Sequence, residues 1–227
     1  MKLCVALDHP SYEENLKLCK QIRDFDVWLK VGFRTFIKEG KRVIEDIKEI
    51  NEEFKIFLDL KLYDIPNTMA DAAQEIAELG VDMFNVHASS GKVAMREVMK
   101  RLEGADKRPL VLAVTALTSF DNHSFREIYN EDLSKKAISF AKDSFQSDLD
   151  GVVCSVFESL QIKEATDENF LTLTPGIRPF NEESKDQKRV ADLKTAKKYK
   201  SDFIVVGRPI YQSKDPYEVV KRILEKI

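Results

Sequence analysis

The chain has 227 residues, of which 43% are apolar and 33% are charged, and its formal net charge is −3. This composition is typical of a folded globular protein and excludes a chain that is disordered throughout. The slight negative charge provides no overall attraction to nucleic acid. No apolar stretch approaches the roughly 20 residues that cross a bilayer. We therefore expect neither a nucleic-acid partner nor a membrane partner.

The cysteines indicate the cellular compartment. Cys4, Cys19 and Cys154 are far apart in the sequence and form no disulfide or metal-binding pattern. An odd and sparse set is typical of a reducing compartment. The first apolar run begins at Leu3, which leaves no room for a targeting peptide. We therefore expect the protein to be cytoplasmic.

Short apolar runs alternate with amphipathic stretches along the whole chain. Runs such as LCVAL, PLVLAV and FIVVG are apolar almost throughout, as expected of parallel strands covered on both faces. Eight strand–helix units without a linker favour one domain over residues 1–227, a single closed (β/α)8 TIM barrel, over an open doubly wound sheet. The predicted strands are Leu3–Asp8, Val27–Gly32, Ile56–Lys61, Met83–His87, Leu110–Thr115, Gly151–Ser155, Leu171–Thr174 and Phe203–Gly207.

The stretches between the strands predict helices with one apolar face towards the core. One such stripe contains Phe36, Ile37, Val43, Ile44 and Ile47. Two connections, 115–132 and 175–188, are longer than the architecture requires, and we interpret them as active-site loops or lids. The chain contains neither the GxGxxG nor the GxxxxGK[ST] nucleotide motif, so no nucleotide cofactor is indicated.

The segment FLDLKLYDIPNTMADA, residues 57–72, has an unusual charge pattern. Asp59 and Lys61 are two residues apart on a predicted strand, so their side chains point to the same side. Taken alone, the pair fits an ordinary salt bridge at the barrel rim as well as it fits an active site. Asp64 follows in the loop. Asn67 or Thr68 has the residue type of an N-cap for a helix that begins near Met69.

Charged residues end two further predicted strands. Lys30 lies in WLKVGF and Asp8 lies in LDHPS. Either one alone is explained as a rim charge, but barrel enzymes assemble their active sites from the carboxyl ends of several strands. The joint pattern therefore favours an active site at that end of the barrel.

The motif DLKLYDIPNT resembles the DxKxxDIxxT signature of the orotidine 5′-monophosphate decarboxylases, in their bacterial type. The segments VALD, LKVG, VHASSG, AVTALTS, TPGIRP and VVGRPI agree with that family in order along nearly the whole chain. The resemblance implies a lyase that converts orotidine 5′-monophosphate to UMP and carbon dioxide, the last step of de novo pyrimidine nucleotide synthesis, without a cofactor.

The resemblance implies a catalytic role for four residues. Lys61 would be the general acid that protonates C6 of the pyrimidine, and Asp59 would lie against the substrate carboxylate. Together with Lys30 and Asp64 they would form a network of alternating charge. Asp64 would reach the site of the neighbouring subunit, which implies a homodimer.

The resemblance also implies contacts to ribose and base. Asp8, Lys30 and Thr68 would hold the ribose or the charge network, and Thr118 would contact the pyrimidine.

The phosphate contacts fall near the end of the chain. Arg178 would open the loop that carries Gln187, which would bridge phosphate and base, and Gly207 and Arg208 would bind the phosphate. Barrel enzymes often bind phosphate at the loops after strands 7 and 8, where TPGIRP and GRP lie, and this agrees independently with the assignment.

The chemistry of the reaction agrees with these roles. Loss of carbon dioxide from C6 leaves a carbanion with little delocalisation. A fixed ammonium beside C6 stabilises that charge and then supplies the proton. An ammonium that lies between two carboxylates stays in its charged form. An anionic carboxylate beside the substrate carboxylate would also destabilise the bound substrate.

Two other functions fit parts of the pattern. A sugar-phosphate decarboxylase or aldolase would share the Asp59–Lys61 pair and use magnesium to hold an enediolate, but IPNT and AVTALTS disfavour it. A catalytically silent phosphate-binding or scaffolding barrel is disfavoured by the intact Asp59, Lys61 and Asp64. The three histidines have no metal-ligand spacing, so we expect no resident metal.

Overall fold

The computed structural model describes residues 1–105, 107–180 and 189–227. Its eight strands are parallel, each pairs with the next along the chain, and the last pairs with the first. This confirms the closed (β/α)8 barrel. Six of the predicted strands differ from the observed ones by one or two residues at an end, and two agree at both ends. The strands are β1 (Lys2–Ala6), β2 (Trp28–Gly32), β3 (Lys55–Leu62), β4 (Met83–His87), β5 (Leu110–Val114), β6 (Gly151–Val153), β7 (Leu171–Thr174) and β8 (Phe203–Val206).

Helices follow the strands and cover the outside of the barrel. They are α1 (Tyr12–Gln21), α2 (Phe33–Glu39), α3 (Arg42–Ile50), α4 (Pro66–Glu78), α5 (Lys92–Leu102), α6 (Asn122–Tyr129), α7 (Leu133–Phe145), α8 (Val156–Ala165), α9 (Leu193–Lys198), α10 (Arg208–Tyr211) and α11 (Pro216–Leu224), with a 3-10 turn at Ala88–Ser90. Within the described ranges, no helix has the length and apolar character needed to cross a membrane.

Side chains alternate along the strands between two layers, which are both apolar except that β7 contributes Thr172 and Thr174 to the outer side. The outer layer lies between the barrel and the helices, and the inner layer fills the barrel. Because the period of a strand is two, the residue that follows an inner-layer residue by two positions also points into the barrel. Near the carboxyl ends of the strands this series becomes polar. The successive pairs are Ala6 and Asp8, Trp28 and Lys30, Phe57 and Asp59, and Met83 and Asn85.

The apolar stripe predicted from Phe36 to Ile47 is interrupted. Gly40 ends α2 with a φ of 59°, and α3 begins at Arg42 as a separate helix. Val43, Ile44 and Ile47 are buried as predicted, but Ile37 is 77% exposed. The prediction was wrong at Ile37 because it treated two helices as one continuous face.

Helix α4 begins earlier than predicted. Pro66 is at the start of the helix, Ile65 is the N-cap residue, and no side chain caps this end. Proline has a suitable φ for the first turn and no N–H that needs a partner there. The predicted N-cap role of Asn67 or Thr68 is therefore wrong. The Nδ2 of Asn67 instead donates to Oδ2 of Asp71 at 3.0 Å.

Candidate active site

A cleft of about 520 Å³ opens at the carboxyl ends of the barrel strands. Five cationic groups and two carboxylates contribute to its lining, an excess of three positive charges. Such a cleft favours an anionic ligand. The predicted site residues in the lining are Asp8, Lys30, Asp59, Lys61, Thr118, Arg178, Gly207 and Arg208. The sequence analysis missed three further polar residues of the lining, Arg34, Ser119 and Tyr211.

Lys30 lies between two carboxylates. Its Nζ is 3.1 Å from Oδ1 of Asp8 and 3.5 Å from Oδ2 of Asp59. Burial lowers the pKa of Lys30, but the two carboxylates outweigh this effect and hold the pKa above its ordinary value. Gly32 provides the space for this arrangement, since a Cβ there would lie 3.1 Å from the Lys30 Nζ. Lys30 is therefore charged at neutral pH in the lining of the cleft.

Asp59 connects Lys30 to Lys61. The Nζ of Lys61 is 2.6 Å from Oδ1 of Asp59. Burial raises the pKa of Asp59, but the ammonium groups of Lys30 and Lys61 and hydrogen bonds from Lys61 and Asn85 hold it below its ordinary value. Asp59 is therefore ionised at neutral pH. The structure thus brings Asp8, Lys30, Asp59 and Lys61 into one row of alternating charge.

The backbone at Lys61 is irregular. Its φ is 50°, in the left-handed region that lysine rarely adopts. The ladder between β3 and β4 pairs Leu58 with Phe84 and Leu62 with Val86, so extra residues of β3 bulge out between these pairs. Bulges re-aim side chains next to active sites. Here the bulge contains both Asp59 and Lys61.

Asn85 lies opposite this bulge and is only 1% exposed. Its Oδ1 accepts the backbone N–H of Lys61 at 2.7 Å, and its Nδ2 donates to Oδ1 of Asp59 at 2.7 Å. The sequence analysis missed Asn85. The available signal was its position two residues after Met83, where an amide interrupts the apolar strand MFNVH.

Two arginines also line the cleft. Arg178 is buried, and its backbone N–H donates to the carbonyl oxygen of Ala191 at 2.8 Å. Arg208 is the first residue of α10 and follows Gly207, which ends the interior series of β8. The loops after β7 and β8 thus supply both guanidinium groups. Gln187, the other residue assigned to the phosphate, lies outside the described residues.

Comparisons with known proteins identify the family of the chain and agree with its fold. The model of the "Orotidine 5'-phosphate decarboxylase / HUMPS family" matches residues 1–223. The chain belongs to this family. Orotidine 5′-phosphate decarboxylases from Sulfurimonas denitrificans and Nitratiruptor sp. are 66% and 61% identical to it, each over the full length of both chains. The crystal structure of orotidine 5′-phosphate decarboxylase from Lactobacillus acidophilus superposes with a TM-score of 0.85 at 34% identity, covering 99% of this chain and 98% of that one. The resemblance inferred from the motifs is thereby confirmed.

Two residues of the family motif do not reach the cleft of their own chain. Asp64 is exposed, and its Oδ1 accepts the backbone N–H of Ile65 at 2.7 Å. Among the residues that the structure describes, no lysine or arginine lies within ion-pair distance of the Asp64 carboxylate. Thr68 is exposed in the first turn of α4 and does not contribute to the cleft lining.

The loop that carries Thr118 is held by a buried ion pair that the sequence analysis also missed. Arg189 pairs with Glu158 of α8, and its Nη2 donates to the carbonyl oxygens of Ala116 and Leu117 at 3.3 and 3.4 Å. Burial raises the pKa of Glu158, although the Arg189 guanidinium opposes this effect. Arg189 therefore ties the loop after β5 to α8.

The potential metal ligands in the described part of the chain are its His, Cys, Asp and Glu side chains. In residues 1–105, 107–180 and 189–227, no group of three or more His, Cys, Asp or Glu side chains is arranged to hold a metal ion. The two carboxylates in the cleft lining each lie within 3.5 Å of a lysine ammonium.

Proposed function

We propose that this chain decarboxylates orotidine 5′-monophosphate to UMP and carbon dioxide, the last step of de novo pyrimidine nucleotide synthesis. The observation that carries the proposal is the Lys61 ammonium, 2.6 Å from an ionised Asp59 in a cleft with an excess of positive charge. The names and full-length identity of the relatives support the choice of substrate.

Lys61 is the proton donor in this mechanism. The bond between C6 and the carboxylate breaks, the electron pair stays on C6, and carbon dioxide leaves. The ammonium stabilises the developing carbanion, because a fixed positive charge is most effective where negative charge appears in the transition state. Lys61 then transfers a proton to C6 and regains one from solvent.

Asp59 acts on the substrate carboxylate. An ionised Asp59 beside that carboxylate raises the energy of the bound substrate, and the departure of carbon dioxide relieves the repulsion. Lys30 keeps Asp59 ionised from the other side, 3.5 Å away. The row from Asp8 to Lys61 therefore positions charge before the substrate arrives.

The remaining cleft residues bind the rest of the nucleotide. Arg178 and Arg208 pair with the phosphate, as guanidinium groups suit phosphate oxygens. Gly207 precedes the short helix α10, and barrel enzymes often bind phosphate at such a helix after strand 8. Gln187 bridges phosphate and base, and Thr118 contacts the pyrimidine.

We further propose that the active form is a homodimer in which Asp64 and Thr68 complete the partner's site. Both are exposed and lie outside the cleft of their own chain. The neighbouring Tyr63 and Ile65 are 64% and 67% exposed, and such apolar surface favours burial in an interface. Asp8 and Lys30 hold the ribose end in the same subunit.

A cytoplasmic location is part of the proposal. Cys4, Cys19 and Cys154 are all free thiols. Free thiols without disulfides suit a reducing compartment.

The decisive experiment is an assay of the purified protein with orotidine 5′-monophosphate in the presence of EDTA. We expect the pyrimidine absorbance to change as UMP forms, without added metal, nicotinamide, flavin, pyridoxal phosphate or thiamine. The reason is that side chains supply both the charge and the proton. Turnover that EDTA abolishes and magnesium restores would instead support the sugar-phosphate decarboxylase or aldolase. No turnover at all would support the silent phosphate-binding barrel.

A further inference from the structure

We propose that Asn85 is a positioning residue for this reaction: its amide fixes Lys61 and Asp59 relative to each other. The inference rests on the proposed decarboxylation. Asn85 does not line the cleft, so it acts through the two groups that do.

Asn85 holds the backbone of Lys61. The bulge in β3 removes this residue from the regular ladder with β4. The Lys61 N–H donates instead to the Oδ1 of Asn85 at 2.7 Å. A left-handed backbone at a non-glycine residue persists only where its surroundings fix it. The Asn85 carbonyl thus supplies the contact that holds Lys61 at a φ of 50°.

Asn85 also holds the Asp59 carboxylate. Its Oδ1 accepts hydrogen bonds from Nδ2 of Asn85 at 2.7 Å and from Nζ of Lys61 at 2.6 Å. Its Oδ2 faces Nζ of Lys30 at 3.5 Å. These three contacts fix the carboxylate on both oxygens. Rotation of Asp59 would break them together.

The two contacts also fix the orientation of the Asn85 amide. The carbonyl oxygen faces a donor at Lys61 and the amino group faces an acceptor at Asp59. In a flipped amide, the amino group would face the Lys61 N–H, which is also a donor. The carbonyl oxygen would then face the Asp59 carboxylate, which is also an acceptor. A buried amide satisfied in this way is costly to disturb, because each broken contact leaves a polar group unpaired. Asn85 thereby couples the backbone of the proton donor to the carboxylate that faces the substrate.

The experiment compares Asn85→Ala and Asn85→Asp with the parent and with Asn51→Ala. Asn51 is a matched control: its amide also makes two hydrogen bonds, to the carbonyl oxygen of Arg23 and the N–H of Glu53, before β3 at the opposite end of the barrel. For Asn85→Ala we expect kcat to fall about 100-fold, the effect of displacing a reacting group by about 1 Å. The KM and the Kd for UMP should barely change, because the binding residues are intact. Asn51→Ala should keep the parental kcat.

The variant Asn85→Asp has nearly the same shape and tests the donor separately. At low pH the introduced carboxyl is protonated and can donate to Asp59, which restores the contact. As the pH rises it ionises and opposes the Asp59 carboxylate, whose charge raises the pKa of the introduced group. We therefore expect kcat of this variant to fall with increasing pH across a range in which the parental kcat is constant.

Each outcome decides the question. Parental kcat in folded Asn85→Ala, an equal loss in Asn51→Ala, or a loss of UMP affinity parallel to the loss of kcat would overturn the positioning role. Failure of both Asn85 variants to fold would do the same, because it would make Asn85 a residue of the barrel core. An inactive parent would overturn the proposed function and this inference with it, whereas an active parent with unaffected variants would overturn the inference alone.

Discussion

At the scale of single residues, Lys61 combines two tasks in one ammonium group. Lys61→Ala removes both the charge that faces the carbanion and the proton donor. The fold should persist, because the Lys61 side chain is partly exposed. The substitution also leaves the backbone N–H of residue 61 in place, which donates to Oδ1 of Asn85. We expect kcat to fall by at least about 100-fold, the lower end of the contribution of a general acid.

The measurement is kcat with orotidine 5′-monophosphate, alongside a circular dichroism spectrum. Lys17→Ala is the control, since Lys17 is an exposed lysine that pairs with Glu14 at 3.4 Å on α1. A folded Lys61→Ala protein within about tenfold of the parent, a barrier change of only ~1.4 kcal/mol, would contradict the assignment.

Arg208 acts on the part of the substrate that does not react. Arg208→Ala should lower kcat/KM, because guanidinium pairs with phosphate oxygens and this binding energy is used at the reacting carbon. Orotidine without its phosphate serves as the internal control, since the mutation should barely alter that substrate's poor rate. An equal loss on both substrates would refute a role through the phosphate.

The sequence predicts most charged residues of the cleft but not the residues that support them from behind or from neighbouring loops. Lys30, Asp59 and Lys61 are conspicuous because charge at the end of an apolar strand needs an explanation. Asn85 also interrupts an apolar strand, but its role depends on a bulge in the neighbouring strand that no local sequence pattern predicts. Arg189 was missed for a similar reason: its contacts with Glu158 and the loop after β5 join segments far apart in the chain.

At the scale of elements, close packing of β6 against β7 depends on Gly151. A Cβ at this position would lie 2.2 Å from the carbonyl oxygen of Leu171, so backbone rather than a flexible side chain would have to move. Gly151→Ala should therefore lower the free energy of unfolding by about 1–3 kcal/mol, the usual effect of overpacking. Denaturant unfolding measures this change. An unaltered denaturation midpoint would show that the two strands accommodate the added methyl group without loss of stability.

The strands were easier to predict than the starts and ends of the helices. A parallel strand that is covered on both faces is apolar over its length, so its centre is evident from composition alone. Helix ends depend on one or two residues. Pro66 starts α4 without a side-chain cap, and Gly40 separates α2 from α3. Pro66 contradicts the N-cap that the residue types of Asn67 and Thr68 predicted, and Gly40 contradicts the continuous face that the apolar period predicted.

At the scale of the whole molecule, eight similar strand–helix units explain why the barrel closes. A single chain does not explain why apolar side chains beside Asp64 are exposed. We propose that the 227 residues fold as one domain, since the inner apolar layer contains residues from all eight strands. The exposed Tyr63 and Ile65 flank Asp64, which finds no cationic partner among the described residues of its own chain. A second subunit would cover the apolar groups and give the carboxylate a role.

Mixed dimers test whether Asp64 acts across such an interface. Lys61→Ala and Asp64→Ala homodimers should each be severely impaired. In a mixed dimer, the site on the Asp64→Ala subunit has its own Lys61 and receives Asp64 from the other chain, whereas the second site lacks both groups. Random re-association of equal amounts makes half of the dimers mixed, so roughly a quarter of the parental activity should return in a closed twofold dimer. If Asp64 acts within its own chain, both mixed sites are defective and nothing returns. A size tag on one partner shows that subunits have exchanged, and exchange without recovered activity would rule out the shared site.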